Sequence, residues 1–129
     1  MPYKIAVENN VLRIALNGRI TGGDLLDLAA ETTNYEHGVD VVPHRITDMT
    51  GIAELAIHYP DVSNLAAKRR QLRFPNPFKS AIIACQVQHL GYARMFQTLN
   101  DNPQIAIRIF PNEPAANEWI ACPGGFGHG

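Results

Sequence analysis

Polar and hydrophobic residues alternate in two short segments near the start of the chain, residues 3–8 and 11–16. A period of two is typical of a strand that buries one of its faces. Asn9 and Asn10, which separate the two segments, favour a tight turn. The pattern therefore predicts an antiparallel hairpin, which Gly18 should end.

Four later segments have start signals or spacing typical of helices. Thr21 and Asp24 match the capping box, in which each side chain bonds to the backbone amide of the other, so a helix should follow them. Pro60 marks a second helix start, and Asn112 can cap a last helix. Between these two, apolar residues recur at i, i+3, i+4 and i+7 and predict a third helix over residues 89–99.

Three apolar segments lie between these helices and predict strands, at residues 41–47, 80–85 and 104–110. The segment 80–85 is continuously apolar, which is typical of a central strand covered by helices on both faces. Pro43 is a weak objection to the first segment if that strand is central. Strands and helices alternate after the hairpin. This order predicts an α/β domain with a mixed, mostly parallel five-stranded sheet, right-handed crossovers and helices packed against it.

The length and composition of the chain indicate how many domains it forms. The chain has 129 residues, of which 46% are hydrophobic. This is enough for one good core and too little for two ordinary domains. We therefore expect a single domain over residues 1–122, followed by a flexible glycine-rich tail over residues 123–129.

The charges of the chain nearly cancel. Eleven basic and twelve acidic residues give a formal net charge of −1, so we expect no nucleic-acid partner. The chain lacks a positively charged leader, and it has no apolar run of the roughly 20 residues needed to cross a bilayer. We therefore expect a cytoplasmic protein without a transmembrane segment.

Familiar catalytic and metal-binding motifs are absent from the sequence. The five histidines and two cysteines lack the spacing of metal ligands. No triad, phosphate-binding loop or zinc helix is present. We therefore expect no metal and no cofactor, and we assign no enzymatic activity. An enzyme that uses the polar loop from Glu54 to Asp61 is the weakest of three hypotheses.

Three strings in this element order resemble the SpoIIAA-like branch of the STAS superfamily, a group of small bacterial proteins that shares features with Sec14-type lipid-binding domains. The strings are residues 48–52, 78–84 and 92–99, and residues 107–110 and 115–119 close the pattern. The resemblance extends over roughly residues 3–120. It implies the SpoIIAA-like/STAS fold, and most of its residues belong to the core rather than to a site.

The first of these strings implies a function. In phosphoregulated STAS domains, an Asp, an apolar residue and a Ser or Thr lie where a strand gives way to a helix, and the hydroxyl accepts a phosphate that controls partner binding. Thr50 matches that hydroxyl, with Asp48 before it and Gly51 after it. The resemblance therefore implies a non-enzymatic regulatory module that binds a protein partner or itself, as a homodimer. Ordinary turn chemistry, in which Asp48 or Thr50 bonds to backbone amides, is the alternative interpretation.

A second hypothesis is a carrier or sensor of a small apolar or lipid-like ligand. The apolar stripe that includes Tyr92 and Phe96 would line its cavity, although core packing needs the same stripe. Arg69 and Arg73 lie one helical turn apart and, with Lys79, would contact an anionic group. The alternative interpretation of these cations is a solvated helix face.

Overall fold

The computed structural model describes residues 2–123 of the chain. In this part of the chain five strands and four helices follow one another in the predicted order. The strands are β1 (Tyr3–Glu8), β2 (Val11–Thr21), β3 (His44–Ala56), β4 (Phe78–Ile83) and β5 (Ile105–Phe110), and the helices are α1 (Gly22–His37), α2 (Tyr59–Arg70), α3 (Val87–Leu99) and α4 (Glu113–Ala121).

The strands form one sheet in the order β1-β2-β3-β4-β5. Only β1 runs antiparallel to its neighbour, and the pairs β2–β3, β3–β4 and β4–β5 are parallel. The mixed, mostly parallel sheet predicted from the sequence is therefore confirmed. Because each crossover connects neighbouring strands in the same direction along the sheet, right-handed connections place α1, α2 and α3 on one face. Helix α4 packs on the other face.

Two apolar clusters correspond to the two faces of the sheet. The larger cluster lies under α1, α2 and α3, and includes Ile14, Ile82 and Ile107 from three different strands. The smaller cluster lies under α4, where Trp119 and Ala116 pack against strand residues such as Ile83. All six residues of β4 are buried, as expected for the predicted central strand.

Local capping explains why the helices begin where the sequence predicted. The Thr21 hydroxyl accepts a hydrogen bond from the Asp24 amide at 3.2 Å, and Asp24 Oδ2 accepts one from the Thr21 amide at 2.8 Å. The side-chain oxygen of Asn112 accepts a hydrogen bond from the amide of Ala115 at 2.9 Å at the start of α4. These bonds depend only on residues close in sequence.

The carboxyl-terminal ends of β2 and β3 differ most from the prediction. Gly18 does not end β2. It adopts a positive φ of 69° inside the strand, which continues to Thr21. Strand β3 begins at His44 and continues to Ala56, nine residues beyond the predicted end, because its second half pairs with the second half of β2. Pro43 precedes β3, so its missing amide interrupts no ladder.

The predicted glycine-rich tail, residues 123–129, lies outside the described residues except for Pro123. Within residues 2–123, none of the helices has the length and apolar character needed to cross a membrane.

Candidate functional site

A cavity of about 130 Å³ lies between the sheet and the helices α1, α2 and α3. Strands β2, β3 and β4 form its floor, because alternate residues of each strand point towards the helix layer. The three helices form its roof. Its lining is mostly apolar and includes Ile14, Leu16, Leu25, Leu28, Met49, Leu55, Ile57, Leu65, Ile82 and Phe96.

The cavity has a polar end. Arg45 is the second residue of β3, and its register partner on β4 is Ser80. Both line the cavity, as do Thr32 near the end of α1 and Arg69 near the end of α2. Because these helices run antiparallel to the strands, their last turns meet the first residues of β3 and β4. The polar groups therefore gather near the amino-terminal ends of the strands.

The apolar end lies at the opposite, carboxyl-terminal side of the sheet. Leu25 in the first turns of α1 lies there, with Leu55 and Ile57 from the end of β3 and the segment after it. Tyr92 of α3 completes this end, and its hydroxyl donates to the carbonyl of Ile57 at 3.1 Å. The cavity is thus amphipathic along the strand direction.

A buried ion-pair triad closes the polar end. The Glu36 carboxylate on α1 accepts two hydrogen bonds from Arg69, at 2.5 and 2.9 Å, and a third from Nη2 of Arg45. The three side chains are nearly inaccessible to solvent. Each guanidinium also lies over an aromatic ring, Arg45 over Phe78 and Arg69 over Phe74, both at 5.4 Å.

The triad has two positive charges and one negative charge, so its net charge is positive. Burial alone would raise the pKa of Glu36, but the hydrogen bonds and charges of Arg69 and Arg45 outweigh it and lower the pKa below its ordinary 4.5. Burial and the neighbouring Arg69 lower the pKa of Arg45 to about 10, against the opposing effect of Glu36. Glu36 and Arg45 are therefore both ionised at neutral pH.

One donor of the triad is not used by the protein. Nε of Arg45 is buried and has no hydrogen-bond partner among residues 2–123. Buried polar atoms without a partner are rare in folded proteins, and each needs a physical explanation. Arg45 thus contributes a surplus charge to the wall of the cavity, and its buried Nε lacks a partner within residues 2–123.

Few of the side chains that line the cavity are titratable. Among the described residues that line the cavity, only Arg45, Arg69 and Tyr92 have titratable side chains. The lining therefore offers neither a carboxylate, a histidine nor a cysteine that would act as a general base or nucleophile. Glu36 lies behind the two arginines and does not line the cavity.

The three cations predicted to contact an anion lie in three different places. Arg69 lines the cavity and is 4% exposed, so the solvated helix face does not describe it. Arg73 is exposed in the segment between α2 and β4. Lys79 is buried on the opposite face of the sheet, where its Nζ donates to the carbonyl of Trp119 at 2.8 Å and to that of Cys122. The structure does not bring the three together.

The predicted phosphoacceptor string lies within β3 rather than at a helix start. Ala15 pairs with Asp48, and Asn17 pairs with Gly51. One residue of β2, Leu16, therefore faces two residues of β3. This mismatch is a β-bulge, and Thr50 lies in it.

The hydrogen bonds of the bulge are the turn chemistry that the sequence left open. Asp48 Oδ1 accepts a hydrogen bond from the Thr50 amide at 2.9 Å and one from its hydroxyl at 2.7 Å. Gly51 is needed here because a Cβ atom would come within 2.8 Å of the carbonyl oxygen of Leu16. Helix α2 begins only at Tyr59, so the string does not lie at the start of the helix that follows β3.

The polar loop after β3 is used to begin α2. Asp61 Oδ2 accepts a hydrogen bond from the His58 amide at 2.8 Å, which caps the helix. Glu54 points to solvent beside Arg19, with 3.5 Å between the carboxylate and Nε. Asp61 is therefore a helix-capping residue, and Glu54 belongs to an exposed ion pair.

Sequence reasoning missed Glu36 and Arg45. A signal was present for each. Glu36 lies four residues after Thr32 on the stripe of α1 that faces the core, and Arg45 alternates with Thr47 and Met49 along β3. A charged residue at a position whose neighbours are buried requires a partner of opposite charge.

Comparisons with known proteins identify the fold. No family model matches the sequence, and no curated protein matches it. A similar solved structure is that of an uncharacterized protein from the DUF3478 family with a SpoIIAA-like fold, from Shewanella loihica PV-4. The match has a TM-score of 0.59 at 15% sequence identity, and it covers 92% of this chain and 91% of that chain. The chain therefore has a SpoIIAA-like fold, as predicted.

Proposed function

We propose that this SpoIIAA-like protein is a non-catalytic binding module that holds a small, largely apolar ligand between its sheet and helices α1, α2 and α3. The observation that carries the proposal is the cavity of about 130 Å³ inside the main apolar cluster. Protein interiors are normally packed as densely as organic crystals, and a cavity costs stability in proportion to its size. A cavity of this size is therefore better explained by an occupant.

The volume of the cavity limits the size of the ligand. An apolar cavity of about 150 Å³ holds a molecule the size of benzene, whereas pockets for drug-sized ligands are typically about 300–1,000 Å³. At about 130 Å³ the cavity suits a compact ligand with a short or cyclic apolar part. This refines the carrier hypothesis from the sequence, because the paired acyl chains of a membrane lipid need more space than this cavity encloses.

Benzene is a suitable probe for this proposal. Binding to the folded state alone raises the free energy of unfolding by RT ln(1 + [L]/Kd), so benzene should raise the melting temperature of the protein. The variant Ala29→Leu adds three carbons to a residue that lines the cavity, and it should abolish that rise. Ala30→Leu is the matched control, because Ala30 is the next residue of α1 and is exposed.

Two outcomes distinguish the proposal from its alternatives. The proposal predicts a benzene-dependent rise in the wild type and in Ala30→Leu, measured by differential scanning calorimetry, and no rise in Ala29→Leu. An equal rise in all three proteins would mean that benzene binds elsewhere. The absence of a rise in the wild type would rule out an apolar binding cavity.

A regulated protein-binding module is a second candidate function. Its support is the exposed side chain of Thr50, which the bulge of β3 presents at the surface. A phosphate there would add about two negative charges to the exposed segment of Asp48, Thr50 and Gly51 and would change what a partner meets. Self-association would use β1, whose outer edge is unpaired within the described residues. Helix α2, whose start would favour the phosphate in the implied pattern, begins only at Tyr59.

A further inference from the structure

We infer that the ligand is a monocarboxylate, whose carboxylate group binds Arg45 at the polar end of the cavity and whose apolar part occupies the rest. The inference rests on the proposed binding function and adds the chemical class of the ligand. Three features of the structure lead to it: an unused donor, an unbalanced charge and the direction of the polarity.

The unused donor is Nε of Arg45. This residue is 8% exposed, and Nε has no hydrogen-bond partner within residues 2–123, although Nη2 of the same guanidinium donates to Glu36. A guanidinium has five N–H donors in a fixed, planar arrangement and no acceptor, so only an acceptor atom can satisfy Nε. A carboxylate is the acceptor group that best fits this planar donor arrangement.

The unbalanced charge gives the sign and the number of charges on the ligand. Arg45 and Arg69 carry two positive charges, and Glu36 supplies one negative charge. Both oxygens of Glu36 accept hydrogen bonds from Arg69, and Oε2 also accepts one from Arg45, so one carboxylate is shared by two guanidinium groups. One additional negative charge would make the buried cluster neutral, whereas a dianion such as phosphate would reverse the imbalance. Burial makes such an imbalance costly in either direction.

The polarity of the cavity gives the orientation of the ligand. Ser80 is the register partner of Arg45 on the neighbouring strand, and both residues line the cavity. The Ser80 hydroxyl offers a further donor to a carboxylate at Arg45. The rest of the wall, which includes Leu28 and Tyr92, is mostly apolar and matches a short hydrocarbon or aromatic group. The wall therefore suits a small amphipathic acid rather than an inorganic anion.

Benzoate and benzamide form a matched pair of probes, because they have the same shape and differ in charge. In isothermal titration calorimetry at neutral pH, the wild type should bind benzoate at least about tenfold more tightly than benzamide. In Arg45→Met this preference should disappear, because the remaining Glu36 and Arg69 form a balanced pair. Arg73→Met is the control, since Arg73 is an exposed arginine outside the cavity, and it should keep the preference.

A measurement on the wild type covers the case in which Arg45→Met does not fold. In ¹⁵N-labelled protein, the Nε–H resonance of Arg45 should shift when benzoate is added, and it should shift much less with benzamide. An unchanged resonance at saturating benzoate would overturn the inference, as would a benzoate preference that survives in Arg45→Met.

The outcomes also separate the inference from the proposed function. Binding of benzene and benzamide without a preference for benzoate would leave the binding cavity in place and refute the carboxylate. Failure of all three probes to bind would refute the proposed function itself. Benzoate binding that is lost in Arg73→Met would place the anion outside the cavity and contradict the inference.

Discussion

Each face of the sheet buries a cationic side chain, and the hydrogen bonds available to that side chain differ between the two faces. Under α4, Lys79 donates to the carbonyls of Trp119 and Cys122 at the helix end, where the helix dipole also favours a positive charge. Under the three-helix layer, Arg45 lines the cavity and shares one carboxylate with Arg69, and its buried Nε has no partner among residues 2–123. The face under α4 gives its cation two backbone acceptors, whereas the other face leaves Nε of Arg45 without a partner among residues 2–123.

The contrast indicates which buried groups are candidates for function when the sequence has no familiar catalytic motif. Both cations are nearly inaccessible, so burial alone does not distinguish them. The difference is the completeness of the hydrogen bonds and the packing around each residue. A buried polar atom that the fold leaves without a partner needs a physical explanation, and a bound ligand is one such explanation.

The largest effect is expected from Glu36→Gln, which removes the counter-ion of two buried arginines. Leaving a buried charge without its partner costs about 3–5 kcal/mol, so urea denaturation should show a fall of that size in the free energy of unfolding. Glu118→Gln is the control, because Glu118 is exposed on α4, and it should change stability by less than about 0.5 kcal/mol. A loss below about 1 kcal/mol for Glu36→Gln would show that the triad is not buried as described.

A second prediction compares the packing of the two faces with one substitution. Ala116 is fully buried between α4 and the sheet, so Ala116→Leu should overpack that face and cost about 1–3 kcal/mol. Ala29 lines the cavity, so Ala29→Leu should leave stability unchanged or raise it. Thermal denaturation of both variants measures the difference. Equal losses would mean that the two faces are packed alike.

A third prediction follows from the lowered pKa of Glu36. A carboxylate whose pKa is lower in the folded state stabilises that state above its unfolded pKa of about 4.5, and it loses this contribution as the pH falls through the folded value. The free energy of unfolding should therefore fall as the pH drops below about 4.5. Urea titrations from pH 7 to pH 3 should show a flatter dependence for Glu36→Gln, which lacks the titrating group. The same slope in both proteins would contradict this assignment.

The smallest effect is expected from Thr50→Asp, at an exposed position of β3. Substitutions at exposed sites usually change stability by less than about 0.5 kcal/mol. If the protein is a ligand-binding module alone, the variant should also keep its mass in analytical ultracentrifugation and its binding of benzene. A changed association state would instead support the regulated protein-binding function, with Thr50→Val as the uncharged control.

The features predicted from the sequence are those that depend on nearby residues. The first and last helices begin at caps formed by Thr21 and Asn112, and the apolar run of β4 indicated its central position. The extension of β3 was not predicted, because it depends on pairing with the far half of β2.

The site was predicted in part for the same reason. Arg69, which the sequence suggested as an anion contact, lines the cavity, as do Tyr92 and Phe96. The partner of Arg69 is Glu36, which lies 33 residues away in sequence and reaches it only through folding. Arg45 comes from a third element. No local pattern joins these three residues.

Xenon offers the most direct test of the difference between the two faces, because it enters apolar cavities and reports its position by anomalous scattering. In crystals of the wild type pressurised with xenon, the account predicts a peak on the three-helix face, close to Leu25, Met49 and Tyr92. The peak should be absent in Ala29→Leu. A wild-type map without density there, or with its strongest peak between α4 and the sheet, would contradict the central claim.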